Sequence, residues 1–245
     1  MPKLEISKVH DAYREGGECP LCSLAEAAER ACLASFQSGR VMEPSARVRT
    51  NETGFCPDHL RALYAGENRL GLALMLHTHL QEKRAVLRGA LEGILEASGA
   101  GRKNGTRLDA LVASLAAGRD ACVVCESLAK DLDRYAFTIV YLWQKDPEFP
   151  PVLRASRGFC VSHFLEVLAE AREVLGADAL GDWLREVVPL MTASIDRLEA
   201  EVGGFIQLFR ASNRSLGTDE ERTALARTVQ KLAGRLVIPS PPAPS

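Results

Sequence analysis

The sequence predicts an all-α protein made of two duplicated helical halves, and two observations support this prediction. The first is composition: Ala, Leu, Glu and Arg dominate the 245 residues and runs of β-branched residues are scarce, which favours helix. The second is a set of cysteines and histidines that occurs twice, in the same order and with nearly the same internal gap. A period of about one hundred residues indicates one duplication rather than a solenoid of short repeats.

Two short motifs define the repeated set. A Cys-x-x-Cys motif begins at Cys19 and again at Cys122, 103 positions later. A Cys-x-x-His motif begins at Cys56 and again at Cys160, 104 positions later, and Gly-Phe precedes it both times. The two halves therefore superimpose when the sequence is shifted by about a hundred residues.

Each half is expected to contain the same series of helices. A short helix over residues 6–15, or 108–117 in the second half, ends at glycine as helices commonly do. The Cys-x-x-Cys motif then opens a second helix, in which Pro20 falls in the first turn, where proline is tolerated. After a polar, proline-containing loop the Cys-x-x-His motif begins a third helix. In the second half, the second helix carries an apolar stripe at helical spacing: Leu128, Leu132, Tyr135, Ile139 and Leu142.

A long amphipathic helix completes each half. Both are expected to place their apolar stripes in the core of a helical bundle. Pro189 is expected to kink or restart the second of them. The first stripe consists of Leu76, Leu80, Leu87, Leu91 and Ile94, and the second of Leu180, Leu184, Val187, Met191, Leu198, Val202, Phe205 and Phe209.

Composition also predicts the domain boundaries. Ser98–Thr106 is rich in small and polar residues and is the best linker between the halves. We expect a first helical zinc-binding repeat in residues 1–100 and a second in 106–212. A C-terminal helix is predicted over 213–238, and a disordered tail rich in proline and serine over 239–245.

Each cysteine and histidine set offers three thiolates and one imidazole, the ligands of a closed tetrahedral zinc site. Helix N-termini favour thiolates, so an ion held there would join the start of one helix to the start of another and contribute to folding. We therefore expect two zinc ions per chain. Because each half holds a full set, the economical assignment is Cys19, Cys22, Cys56 and His59 for one ion and Cys122, Cys125, Cys160 and His163 for the other.

Three alternatives to that assignment stay open. The ligands can pair between the halves, the site can hold an iron–sulfur cluster instead of zinc, or the groups can be unliganded buried thiols and histidines. The remaining cysteine and histidines are expected to bind no metal. Cys32 is predicted to be a small core residue, and His10, His77 and His79 to have ordinary surface or core positions.

Charge and hydropathy restrict the class of protein. The net charge of -2 argues against general nucleic-acid binding. No signal peptide is visible, and no apolar stretch reaches the eighteen residues of a membrane span, so a cytoplasmic location without membrane attachment is expected. Thiols stay reduced in the cytoplasm, where clustered cysteines are more often metal ligands than disulfides.

The sequence contains no phosphate-binding loop, serine-hydrolase elbow or zinc-protease helix. Four protein ligands leave no open position on a metal, so no catalytic residue is predicted. The favoured function is a binding or scaffolding protein that recognises another protein, and whether the protein binds a small molecule is unknown from the sequence. One alternative is a thiol–disulfide redox protein or redox-sensitive zinc switch. Another is a nucleic-acid-associated zinc protein that uses Arg47, Arg49, Arg154 and Arg157.

The paired motifs resemble those of a bacterial family of helical proteins of unknown function, in which a Cys-Pro-x-Cys helix start precedes a Gly-Phe-Cys-x-x-His segment. Residues 19–22 and 54–59 match this pattern closely. In the second half Val123 and Val161 replace proline, but all eight proposed ligands are retained. The resemblance covers residues 5–210. It supports the metal sites and implies no activity.

Overall fold

The computed structural model describes residues 4–97, 102–117, 121–210 and 218–234. Within these ranges the chain forms eleven α-helices and one short 3-10 helix, and no strand. The all-α prediction is confirmed. The helices are α1 (Ile6–Glu15), α2 (Pro20–Gln37), α3 (Pro44–Thr53), α4 (Pro57–Ala65), α5 (Arg69–Glu96), α6 (Arg102–Ala117), α7 (Val123–Lys145), α8 (Phe149–Ala155), α9 (Val161–Val174), α10 (Ala177–Arg210) and α11 (Asp219–Ala233), with the 3-10 helix at Gly39–Met42.

The motifs begin helices as predicted. Helix α2 opens at Pro20, directly after Cys19, and α7 opens directly after Cys122. Cys56 and Cys160 are the N-cap residues of α4 and α9, so both Cys-x-x-His motifs lie in a first helical turn. All four motifs therefore place their ligands at helix N-termini.

A glycine with positive φ leads into each Cys-x-x-His motif. Gly54 has φ 79° and Gly158 has φ 72°, values that side-chain-bearing residues rarely adopt. Space is also restricted, because a Cβ atom on Gly54 would lie 2.9 Å from the His79 ring and one on Gly158 would lie 3.0 Å from the Met191 sulfur. Glycine therefore precedes Phe-Cys in both halves because a side chain at that position would be strained and crowded.

The chain divides into two compact units that do not follow the predicted boundaries. Unit 1 comprises Met1–Ala27 and Lys130–Ser245, and unit 2 comprises Ala28–Ala129. The two divisions fall inside helices: α2 begins in unit 1 and ends in unit 2, and α7 begins in unit 2 and ends in unit 1. Helix α6 begins at Arg102, so residues 102–106 of the predicted linker are helical, whereas 98–101 lie outside the described residues. The predicted tail at 239–245 also lies outside them.

Unit 1 has a core of large apolar side chains. Trp183, Phe149 and Phe159 are fully buried. The predicted stripes of α7 and α10 contribute Tyr135, Ile139 and Leu142, and Val187, Met191 and Leu198, all of which are buried. Helix α11 packs against α10 and α9. Helix α10 continues through Pro189 rather than restarting there.

Unit 2 has a smaller core, in which the rings of Phe36 and Phe55 meet edge to face with centroids 5.3 Å apart. Leu63 and Met75 pack in the same cluster. The predicted burial of the α5 stripe is wrong for its leucines, because α5 packs through Gly71, Leu72, Met75 and Gly93 instead. The four leucines Leu76, Leu80, Leu87 and Leu91 are 38–60% exposed.

None of the described helices combines the length and apolar character that a bilayer crossing requires.

Candidate metal centres

Eight cysteine and histidine side chains gather into two groups of four, one in each unit. In each group the ligand atoms lie within 4.8 Å of one another. Both groups contain three sulfurs and one imidazole, so the predicted ligand count is confirmed. Site 1, in unit 1, consists of Cys19, Cys22, Cys160 and His163. Site 2, in unit 2, consists of Cys56, His59, Cys122 and Cys125.

The predicted pairing within each half was wrong. Each site combines the Cys-x-x-Cys motif of one half with the Cys-x-x-His motif of the other, so Cys19 and Cys22 do not meet Cys56 and His59, nor do Cys122 and Cys125 meet Cys160 and His163. Helix length explains the difference. The 18 residues of α2 rise about 27 Å and the 23 residues of α7 about 35 Å. Each helix thereby carries the chain away from its own Cys-x-x-Cys turn before the next Cys-x-x-His turn forms.

In site 2 the Nδ1 atom of His59 lies at the centre of the contacts. It is 3.1 Å from the Cys56 sulfur, 3.2 Å from that of Cys122 and 3.4 Å from that of Cys125. The sulfurs of Cys56 and Cys125 are 3.9 Å apart.

Site 1 repeats this geometry. The Nδ1 atom of His163 lies 3.4 Å from the sulfurs of Cys19 and Cys22 and 3.2 Å from that of Cys160. The sulfurs of Cys22 and Cys160 are 3.8 Å apart.

These distances fit a tetrahedral zinc ion. With Zn–S bonds near 2.3 Å and Zn–N bonds near 2.0 Å, a tetrahedron has sulfur–sulfur edges of about 3.8 Å and sulfur–nitrogen edges of about 3.5 Å. The Cys22–Cys160 and Cys56–Cys125 sulfur–sulfur distances agree with this geometry, and the sulfur–nitrogen distances are a few tenths of an ångström shorter. Soft thiolates with one imidazole are ligands that zinc prefers.

Protons compete with a metal at both sites. The pKa of His59 is raised to about 9, chiefly by its hydrogen bond with Cys122 and further by Glu29. Burial opposes a similar rise at His163, but hydrogen bonds with Cys160 and Cys22 outweigh it and raise the pKa to about 10. A metal must displace these protons to bind Nδ1, so metal affinity falls on acidification.

The two histidines differ in the group that contacts the second ring nitrogen. The Nε2 atom of His59 lies 2.8 Å from Oε1 of Glu29, which fixes the tautomer that leaves Nδ1 free to bind a metal. The Nε2 atom of His163 lies 4.0 Å from a carboxylate oxygen of Glu166, which is beyond hydrogen-bond length. Site 2 therefore has the carboxylate–histidine pair that orients many metal ligands.

The two sites also differ in how their turns are connected. In site 2 the backbone N–H of Val123 donates to the carbonyl of Gly54, which joins the Cys-x-x-Cys and Cys-x-x-His turns directly. Pro20 has no N–H at the equivalent position of site 1. There the Nζ atom of Lys231 donates to three carbonyls beside the ligands, those of Glu18 (3.0 Å), Arg157 (2.7 Å) and Phe159 (3.2 Å).

A buried carboxylate strengthens the attachment of α11 to site 1. Glu18 is 2% exposed and accepts hydrogen bonds from Arg157, Arg197 and Arg227 at 2.7–3.0 Å. Burial alone would raise the pKa of Glu18, but the hydrogen bonds from Arg197 and Arg227 lower it. A buried charge with this many partners is fully compensated, and removing one partner is costly.

The arginines considered for nucleic-acid binding all donate to acceptors within the chain. Arg47 donates to the Leu74 carbonyl and the Thr78 hydroxyl. The other three each pair with a carboxylate: Arg49 with Glu126, Arg154 with Glu186 and Arg157 with Glu18. The hydrogen bonds and ion pairs within the chain explain the positions of these four side chains without a bound anion.

The remaining cysteine and histidines belong to neither group of four. Cys32 is buried in the core cluster of unit 2, as predicted. His79 Nδ1 donates to the Asn51 carbonyl, and the His10 ring packs edge to face against Phe149. His77 is exposed.

Sequence reasoning missed two features: the contact of Glu29 with His59, and the contacts that Glu18 and Lys231 make beside site 1. Glu29 lies on the helix that follows the Cys-x-x-Cys motif of site 1, yet it contacts the histidine of site 2, so its position has meaning only once the pairing is known. Lys231 is separated from Glu18 by 213 positions, and no local pattern connects them.

The fold and the sites together define an all-helical protein with two possible metal centres of three cysteines and one histidine each. Residues 2–238 match a family of unknown function (DUF6062), and the chain belongs to this family. No curated protein and no solved structure matches the chain.

We predict that replacing Glu29 with alanine weakens zinc binding at site 2 by about 10–100-fold, because the buried Nε2 atom of His59 loses its partner. Competition with a chromophoric chelator measures this effect as one of two bound ions becoming easier to remove. Glu166→Ala is the matched control, and a change below about threefold is expected because its carboxylate is exposed and distant. Equal effects of the two substitutions would contradict the assigned role of Glu29.

Proposed function

We propose that this protein is a helical protein-binding module whose two units are each held together by a structural zinc ion. The observation that carries the proposal is the convergence of four ligand atoms within 4.8 Å in each unit, drawn from turns that are distant in sequence. An ion at such a site joins the N-termini of two helices and stabilises only the folded arrangement.

A structural role fits the ligand number. Catalytic zinc sites keep a coordination position for water or substrate, whereas sites with four protein ligands are closed. Three thiolates and an imidazole complete the tetrahedron at both sites. The ions would therefore contribute to stability and leave the recognition of a partner to another part of the molecule.

The exposed leucines of α5 supply the surface for a partner. We define the α5 leucine face as Leu76, Leu80, Leu87 and Leu91. Their spacing places the four side chains within about 60° around the helix, because successive residues turn by about 100°. Apolar stripes of this kind on exposed helices mark protein-interaction sites, and the apolar face of a partner helix would complement it.

Other functions have less support. Each Cys-x-x-Cys motif meets a Cys-x-x-His motif, and this ligand set favours metal binding over the catalytic dithiol of a thiol–disulfide oxidoreductase. The intramolecular partners of the four arginines, together with the net charge of -2, weaken the case for nucleic-acid binding.

We predict that elemental analysis of the purified full chain finds two zinc ions per molecule. Removing them with a strong chelator should lower the melting temperature by at least about 10 °C, because structural zinc contributes many kcal/mol and each kcal/mol shifts the transition by about 2–4 °C. Zinc should restore the lost stability, and magnesium, which prefers oxygen ligands, should not. A metal-free protein of unchanged stability, or one containing iron and sulfide, would contradict the proposal.

We predict that the double substitution Leu80→Lys and Leu87→Lys abolishes partner binding without changing zinc content or melting temperature. The two leucines should contribute about 2–3 kcal/mol to binding, which corresponds to roughly 30–150-fold in Kd. A photo-crosslinking residue at position 87 identifies the partner in cells, with position 82 on another face of α5 as control. The purified partner should bind the native chain and not the double variant. Equal crosslinking from both positions, or normal binding by the variant, would show that this face is not the interface.

A further inference from the structure

The two metal centres have the same ligands but very different exposure to solvent. All four ligands of site 1 are buried, and its cysteines are at most 3% exposed. In site 2 Cys125 is exposed and Cys56 is half-buried, whereas His59 and Cys122 are buried. Reagents in solution can therefore reach two sulfurs of site 2.

Helix α11 explains why site 1 is inaccessible. Lys231, on its last turn, is 1% exposed and donates to the carbonyls on both sides of the site. A Cβ atom on Gly234, which ends the helix, would lie 3.8 Å from the Cys160 sulfur, so backbone packs against that ligand. Glu18 also contacts α11, because it accepts a hydrogen bond from Arg227.

The two accessible sulfurs of site 2 are also neighbours. The Cys56 and Cys125 sulfurs are 3.9 Å apart, and a disulfide bond of about 2.05 Å requires them to approach by about 2 Å. Cys125 lies in the first turn of α7, and Cys56 is the N-cap of α4. Each therefore lies at a helix N-terminus, and a zinc ion at site 2 would hold both sulfurs as thiolates, because a thiol that coordinates zinc is deprotonated.

We propose that site 2 is a peroxide-sensitive centre at which Cys125 is oxidised first and Cys56 completes a disulfide, whereas site 1 is resistant. This inference rests on the proposed presence of zinc at both sites. It gives the two ions different roles, because the ion of site 1 would be a permanent part of the fold and that of site 2 would be released by hydroperoxides.

The chemistry balances with hydrogen peroxide as the oxidant. The Cys125 thiolate attacks one peroxide oxygen, the O–O bond breaks, and a sulfenic acid forms with release of hydroxide. The Cys56 thiolate then attacks the Cys125 sulfur, the S–O bond breaks, and a second hydroxide leaves as the disulfide forms. Two protons convert the hydroxides to water. Site 2 has then lost two of its four ligands.

The test treats the zinc-loaded full chain with hydrogen peroxide in the presence of a chromophoric zinc chelator. We expect one zinc ion per chain to be released at least about tenfold faster than the other, because oxidation follows thiolate exposure. Peptide mass spectrometry of the native chain, after blocking free thiols, should find Cys56 linked to Cys125 at the end of the fast phase. The cysteines of site 1 should still be reduced at that point.

Two matched variants assign the fast phase to its site. Cys125→Ser should remove the fast phase, and Cys22→Ser, the equivalent change in site 1, should leave it intact. Release of both ions at one rate, or a first disulfide that involves Cys19, Cys22 or Cys160, would overturn the inference. The proposed structural role of zinc would still be supported in that case if the native chain had bound two zinc ions. A native preparation with fewer than two zinc ions would instead contradict the proposed function, and this inference with it.

Discussion

The constraint on which the structure depends is the meeting of two helix N-termini at four cysteine and histidine side chains that could hold a metal ion. Each site requires one Cys-x-x-Cys turn and one Cys-x-x-His turn to approach within a few ångströms. A glycine with positive φ precedes the Cys-x-x-His turn in both halves, and an N-cap cysteine begins its helix. These local features position the ligands, and the long helices α2 and α7 determine which turns meet.

The pairing has a consequence for folding. Because each unit contains a Cys-x-x-Cys turn from one half of the sequence and a Cys-x-x-His turn from the other, neither half holds a complete site. Site 1 joins residues 138–144 positions apart, and site 2 joins residues 63–69 positions apart. Zinc at these sites would stabilise long-range contacts whose closure is entropically costly.

Much of the local structure was predictable, because it depends on nearby residues. The helical fold class, the start of α2 at Pro20 and the grouping of ligands as three cysteines and one histidine all follow from composition, capping and motif spacing. Features that depend on distant residues were not predictable. The pairing of the motifs depends on the length of α2 and α7, and the Glu29 contact depends on that pairing. Apolar periodicity indicated that α5 is amphipathic. It did not indicate which leucines of α5 are buried by other parts of the chain.

Metal content after paired substitutions tests the cross-half pairing most directly. If Cys22 and Cys160 belong to one site, their joint replacement by serine removes a single site, and native mass spectrometry should find one zinc ion per chain. Joint replacement of Cys22 and Cys56 disables both sites, so none should remain. The opposite pattern, with one ion kept by the Cys22 and Cys56 variant and none by the other, would show that each half binds its own metal and would contradict the structure described here.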